Sequence, residues 1–195
     1  VYGGDAESWD DKATLAVKGV AQVVKIPGGA AVVASSQWAA MKGAARLTVR
    51  WKSTAIDGLT SGAISAAMHV GLGEDTRAIV GKVEGDTAAA LAGAAKTFEA
   101  DYEVPYLCHA PMEPWSITVE PTKVTLHTLM LGGGYGRRLG DDGTPGAVVT
   151  ALEIKKPVKF FWRREDEIGQ GWYRPAQVAR LKAGVDASGK VVALH

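Results

Sequence analysis

The sequence predicts a mixed α/β (α+β) protein, in which a small α-β-β-α-β unit is followed by part of a larger mixed-sheet domain. Three observations predict it. Capped helical stretches and short β-branched runs succeed one another over the first 56 residues. Period-two alternation then recurs in several separate segments of the remainder. The composition, 47% apolar and 22% charged over 195 residues, is that of a chain that builds a core. The 24 glycines, well above the usual ~7%, add many turns or close backbone approaches.

Taken in order, Ser8 and Asp11 form a capping-box-like pair ahead of a short helix over 12–18, with Gly19 as its stop. Residues 20–26 are β-branched and lead through Pro27-Gly28-Gly29 into apolar 30–34, the signature of a hairpin. Ser35 and Ser36 cap a helix over 37–45, and Leu47, Val49 and Trp51 alternate with polar residues as a strand. Over 52–86 the pattern weakens to a helix near 62–69 and a Gly-rich polar stretch, so 57–86 reads as a linker. Asp86 caps an Ala-rich helix, and Phe98, Ala100, Tyr102 and Val104 mark a strand before a loop with three prolines. Strands are expected over 116–119, 124–131 and 158–162, a short helix over 147–154, and a terminal hairpin turned at Ala187-Ser188-Gly189.

Charge and cysteine content remove whole classes of function. With 22 basic and 21 acidic side chains the net charge is +1, which gives no electrostatic reason to bind nucleic acid or an anionic membrane surface. The single Cys108 can neither close an intrachain disulfide nor supply an iron–sulfur or structural zinc cage. No apolar run reaches the roughly 20 residues of a spanning helix, and the first residues lack the regions of a signal peptide. The chain begins at Val1 without Met, so it is expected to be processed, excised from something longer or incomplete, and its compartment, periplasmic or cytoplasmic, is not readable.

Three constellations carry chemistry. Gly132-Gly133-Gly134-Tyr135-Gly136-Arg137-Arg138 follows a strand, where glycine lets backbone N–H groups point at an oxyanion or flat ligand and the guanidiniums suit phosphate. A plain glycine-rich turn with solvated arginines explains the same residues. The second, Cys108-His109-Ala110-Pro111-Met112-Glu113-Pro114-Trp115, invites a Cys–His hydrolase, but neighbours in an extended segment point opposite ways, so a structural thiol and a satisfied loop histidine are the simpler readings. The third, Arg163-Arg164-Glu165-Asp166-Glu167, is a charge run at a strand end, where solvated pairs are the rule and ligands also collect. The histidines have no metal-ligand spacing, and no side-chain metal site is expected.

Four phrases, in order, resemble one family. Tyr102-Glu103-Val104-Pro105-Tyr106 with His109-Ala110-Pro111-Met112-Glu113-Pro114, then Leu131 to Arg138, then Arg164-Glu165-Asp166, then Tyr173-Arg174-Pro175-Ala176, resemble the molybdopterin-binding large subunit of the xanthine dehydrogenase and aldehyde oxidase family, isoquinoline 1-oxidoreductase beta-subunit branch. The resemblance implies a hammerhead-like subdomain at 1–56, the linker at 57–86 and a partial molybdopterin-binding domain at 87–195. It implies oxidation of aldehydes or N-heterocycles with water as oxygen source, molybdopterin in a cytosine dinucleotide form, a small-molecule substrate and a separate iron–sulfur subunit. By resemblance, the loop residues 132–138 contact the cofactor, with Gly134, Tyr135 and Gly136 nearest, Arg164 positions substrate, and Glu113 is structural.

The departures from the family shape the expectation equally. Pro121-Thr122 runs straight into Lys123-Val124 where the family has a long segment with a glutamine near the metal, the helix after the glycine loop is short, and the half carrying the catalytic glutamate is absent. Such a chain is expected to form one wall of an active site, to hold no cofactor alone, to expose apolar surface, and to need the remaining molybdopterin-binding part. The alternative is a non-catalytic binding or scaffold domain derived from that fold.

Overall fold

The computed structural model describes residues 4–73, 79–122, 132–140 and 143–195. Its elements are β1 (Ala6–Asp10), α1 (Lys12–Leu15), β2 (Val20–Ile26), β3 (Gly29–Ala34), α2 (Gln37–Ala44), β4 (Thr48–Trp51), α3 (Ser61–Leu72), α4 (Thr87–Ala92), β5 (Lys96–Val104) and β6 (Leu107–Cys108). There follow β7 (Ser116–Val119), a 3₁₀ turn (Arg137–Leu139), α5 (Thr144–Ile154), β8 (Val158–Phe161), α6 (Arg164–Gln170), β9 (Tyr173–Arg174), β10 (Gln177–Val185) and β11 (Val191–Leu194). The mixed fold class holds. The strand expected over 124–131 lies outside the described residues.

The chain forms two compact units, each discontinuous in sequence. One contains Val1–Asp57 and Cys108–Tyr173, the other Gly58–Leu107 and Arg174–His195.

In the first unit the β2–β3 hairpin turns at Pro27 and Gly28, where Gly28 takes φ +73°, a value glycine adopts without steric cost. The α2 helix starts as its sequence dictates, the Ser36 hydroxyl accepting from the Ala39 N–H at 3.3 Å. It packs on the hairpin so closely that a Cβ at Gly43 would stand 2.9 Å from methyls of both Val20 and Val32. Thr14, fully buried, donates from its hydroxyl to the Gly43 carbonyl at 3.1 Å and ties α1 to α2.

The start of the chain differs from expectation. Ser8 does not cap a helix; it lies in β1, which pairs antiparallel with β4 through Trp9↔Val49 and Asp10↔Thr48. Strand pairing satisfies backbone groups that a capping box would have used, and Ala6 is fully buried there. The helix that follows is accordingly one turn, with Asp10 rather than Ser8 accepting from the Lys12 N–H.

The rest of this unit is a β7–β8 ladder covered by α5. Ile117 and Val119 face Ala147 and Ala151, with Val148, Val158 and Phe160 around them. Aliphatic side chains the size of Ile117 and Val119 contribute about 1.5–3 kcal/mol each when fully buried. Gly146 makes the helix approach close: a Cβ there would stand 3.2 Å from both Ile26 and Phe160. After β8 the charge run does not remain a solvated loop but forms α6. Glu165, Asp166 and Glu167 fill its first turn, where carboxylates oppose the helix dipole, and Asp166 accepts from the Arg163 N–H at 3.1 Å.

In the second unit β5, β10 and β11 form one antiparallel sheet in the order β11-β10-β5. The register pairs Asp101 with Arg180, Glu99 with Lys182 and Phe98 with Ala183, so one face is charged and the other carries Phe98, Tyr102, Val104 and Leu181. Helix α3 occupies the stretch expected as linker and meets the charged face, His69 Nε2 lying 3.1 Å from Glu103. Helix α4 packs beside it, Gly184 allowing Ala94 and Leu91 to close in. The apolar residues of the opposite face stay exposed.

Candidate functional site

The glycine loop sits in the first unit and its backbone is unusual. Gly133 takes φ +122°, Tyr135 +50° and Gly136 +98°, so three of five consecutive residues occupy a region that side chains other than glycine rarely adopt. Tyr135 accepts that conformation as a residue 60% exposed. The space a Cβ would take at each glycine is filled by this chain itself. Glu113 lies there at Gly132 (3.0 Å), Tyr135 at Gly133 (2.8 Å), Arg138 at Gly134 (3.1 Å) and His109 at Gly136 (2.8 Å).

The two arginines after the loop turn inward. Arg137 is 2% exposed with its guanidinium over the Trp162 ring at 5.4 Å, and Arg138 lies over Trp115 at 5.0 Å. Arg138 Nη1 stands 3.0 Å from Glu167 Oε1, an ion pair by distance although its N–H is not aimed along the contact, and its Nη2 donates to the Glu113 carbonyl. Arg164, the residue matched to substrate positioning, reaches the same carboxylate: Nη1 lies 3.4 Å from Glu167 Oε2, while Nη2 donates to the Met112 carbonyl at 2.8 Å. Arg163 is engaged elsewhere, forming a bidentate pair with Asp166 at 2.9 and 2.8 Å. That hydrogen bond raises the Arg163 guanidinium above its ordinary value.

Structure therefore brings the proline-bounded loop, the glycine loop and α6 together around Glu167, which is 3% exposed. Sequence reasoning placed Glu167 within a charge run and gave it no role; its signal was weak, since which of three adjacent acids turns inward depends on the helix phase. His109 is the satisfied loop histidine expected. Its Nδ1 lies 3.0 Å from the Trp172 carbonyl, an acceptor only, so Nδ1 carries the proton. With the ring committed to Trp172 and Gly136, nothing in its placement supports a Cys108–His109 pair, and Cys108 is half-buried in β6. A groove of this unit, about 1410 Å³, runs between the β2–β3 hairpin and β8 and is lined by none of residues 132–140. Among the described residues no group of three His, Cys, Asp or Glu side chains could hold a metal ion.

The comparisons with known proteins bear on this geometry. Residues 115–195 match the molybdopterin cofactor-binding domain. The family resemblance read from the four phrases stands. Isoquinoline 1-oxidoreductase subunit beta of Brevundimonas diminuta is 29% identical over 230 aligned positions, covering 95% of this chain and 28% of that protein. A membrane-bound aldehyde dehydrogenase of Gluconacetobacter polyoxogenes, whose name specifies pyrroloquinoline-quinone, is 38% identical over 80 residues, 40% of this chain and 10% of its own. Among solved structures, aldehyde oxidoreductase from Desulfovibrio gigas aligns with TM-score 0.60 at 17% identity over 96% of this chain and 28% of its own. CO dehydrogenase from Oligotropha carboxidovorans aligns with TM-score 0.58 at 14% identity, over 99% and 34%. These two likenesses show the fold. The chain thus spans about a quarter of the length of the first relative, and the 230 aligned positions exceed its 195 residues, so that relative carries segments this chain lacks.

Proposed function

We propose that this chain forms one wall of a molybdopterin site in an oxidoreductase acting on aldehydes or N-heterocycles, and that it is inactive until partners complete the site. The observation that carries this is the convergence on Glu167: three of the four family phrases, separated in sequence by 25 and 52 residues at the contacts Arg138–Glu113 and Arg164–Met112, meet in space. Convergence of family phrases in one place is what a shared site requires, whereas unrelated surface turns would scatter.

The residues present fit an anionic, flat cofactor. Arg138 and Arg164 set two positive charges on the Glu167 carboxylate, Arg137 adds a third over the Trp162 ring, and the strained backbone of the loop carries the exposed residue Tyr135. In this reading the backbone of 132–136 and Tyr135 hold the cofactor, Arg137 and Arg138 brace the loop from behind and bring positive charge near a cofactor phosphate, and Arg164 orients a small substrate. When bound, a molybdenum cofactor supplies the two-electron oxidation, with oxygen from water. The dinucleotide is of the cytosine form, an iron–sulfur subunit takes the electrons, and the rest of the molybdopterin-binding part supplies the catalytic base. The domains are assigned after the family, a hammerhead-like 1–56 and a partial cofactor domain 87–195, with the stretch 57–86 between them carrying α3. The relative is named as a beta subunit, which supports partner subunits.

One observation favours a second reading, a scaffold domain that kept the fold without the chemistry. Every Cβ direction of the loop glycines is filled from within, so the glycines are explained by internal packing alone. Tyr135→Ala separates the two, because an exposed ring contributes little to stability. In the assembled complex the first reading expects at least about threefold less retained molybdenum and pterin at unchanged melting temperature, since stacking contacts contribute about 1 kcal/mol. Unchanged retention, or a quinone in place of molybdenum, would overturn it.

A further inference from the structure

We propose that Glu167 is the positioning residue that fixes the glycine loop and Arg164 in one arrangement, an inference resting on the reading of the loop as a cofactor wall. Arg138 and Arg164 approach one carboxylate from two elements, 3.0 Å to Oε1 and 3.4 Å to Oε2. Both guanidiniums then continue past it to main-chain carbonyls of adjacent residues, Glu113 and Met112. Each arginine thus bridges Glu167 to the proline-bounded loop, and the carboxylate between them offsets their mutual repulsion. The carboxylate is 2% exposed as a side chain, so water screens this arrangement little. Removing its charge leaves two cations side by side in a site that can hold them only by moving one outward, and the one that moves takes either the glycine loop or the start of α6 with it.

Glutamine keeps the shape of Glu167 but turns an amide N–H₂ toward a guanidinium, donor against donor. Aspartate keeps the charge and falls one methylene short. The test is amide hydrogen exchange on the full chain, with molybdenum content of the assembled complex measured beside it. Glu167→Gln is expected to speed exchange over 132–140 by at least about tenfold, a local opening, while β5 and β10 stay unchanged and Glu167→Asp recovers most of the protection. Unchanged exchange over 132–140, or acceleration spread equally through β7 and α5, would overturn the assignment, the second by showing a merely structural role. Should Glu167→Gln fail to fold, Arg138→Lys is the second variant, since one ammonium cannot span both Glu167 and the Glu113 carbonyl, and it must show the same local loosening. Loosening with undiminished molybdenum would leave Glu167 as the loop's positioning residue and overturn the cofactor reading. Diminished molybdenum without loosening would do the reverse.

Discussion

Gly136 concentrates the residue-scale argument, because two independent constraints require glycine there. Its φ of +98° is one, and the His109 imidazole 2.8 Å from where a Cβ would stand is the other. Gly136→Ala is therefore expected to lower stability by about 1–3 kcal/mol, read by thermal denaturation, with His109 displaced from Trp172. A stability loss under a few tenths of a kcal/mol would contradict this account. Ala110 stands across from this pattern, a residue with a side chain at φ +41°. Ala110→Gly is expected to be neutral or stabilising by up to about 1 kcal/mol, and clear destabilisation would show that the Ala110 methyl packs against something essential. The glycines and His109 were legible in the sequence as a loop of exposed backbone N–H groups or plain turn and as a satisfied histidine. Which partners they met was not, since Glu113, His109 and Arg138 reach the loop only through the fold.

Among the elements, the sheet β5-β10-β11 shows what periodicity does and does not reveal. The alternation Phe98, Ala100, Tyr102, Val104 identified the strand, but not that α3 would settle on the charged face instead. There Glu103 is held below the ordinary glutamate value of 4.5, first by a hydrogen bond from Ser65 and then by His69. Asp101 is lowered likewise by Arg180. A depressed carboxylate stabilises the folded form above its unfolded value, and that contribution is lost as pH falls through the lowered folded value. Helix α3 is accordingly expected to loosen first as pH drops below the ordinary glutamate value, seen as early loss of exchange protection over 61–72. Equal loss across both units would contradict the local assignment. Tight packing sets the corresponding limit at α2, where Gly43→Ala is expected to cost about 1–3 kcal/mol through its clash with Val20 and Val32. Helix α6 was missed because its charges read as solvated, although three acids in one turn followed by Gly171 is a helix-start and helix-stop signal.

At the scale of the whole molecule, the first unit buries a core around Ile117, Val119, Ala147 and Ala151, while the second leaves Phe98, Tyr102, Val104, Leu181 and Leu194 exposed on one sheet face. Replacing Tyr102 with Asp is expected to reduce binding of a hydrophobic dye without unfolding the sheet, and undiminished dye binding would place the apolar surface elsewhere. The fold class and the family resemblance were legible because short motifs and periodicity are local properties of the sequence. The two discontinuous units were not, since β5 and β10 pair across about 80 residues of intervening chain and no local pattern encodes that distance. The central claim is that this chain supplies one wall of a molybdopterin site and needs partners to close it. Its most direct test is molybdenum and pterin stoichiometry, measured on the chain purified alone and on the complex isolated from its native source. The account predicts none in the first and about one cofactor per chain in the second. Stoichiometric molybdenum in the isolated chain, or none in the native complex, would contradict it.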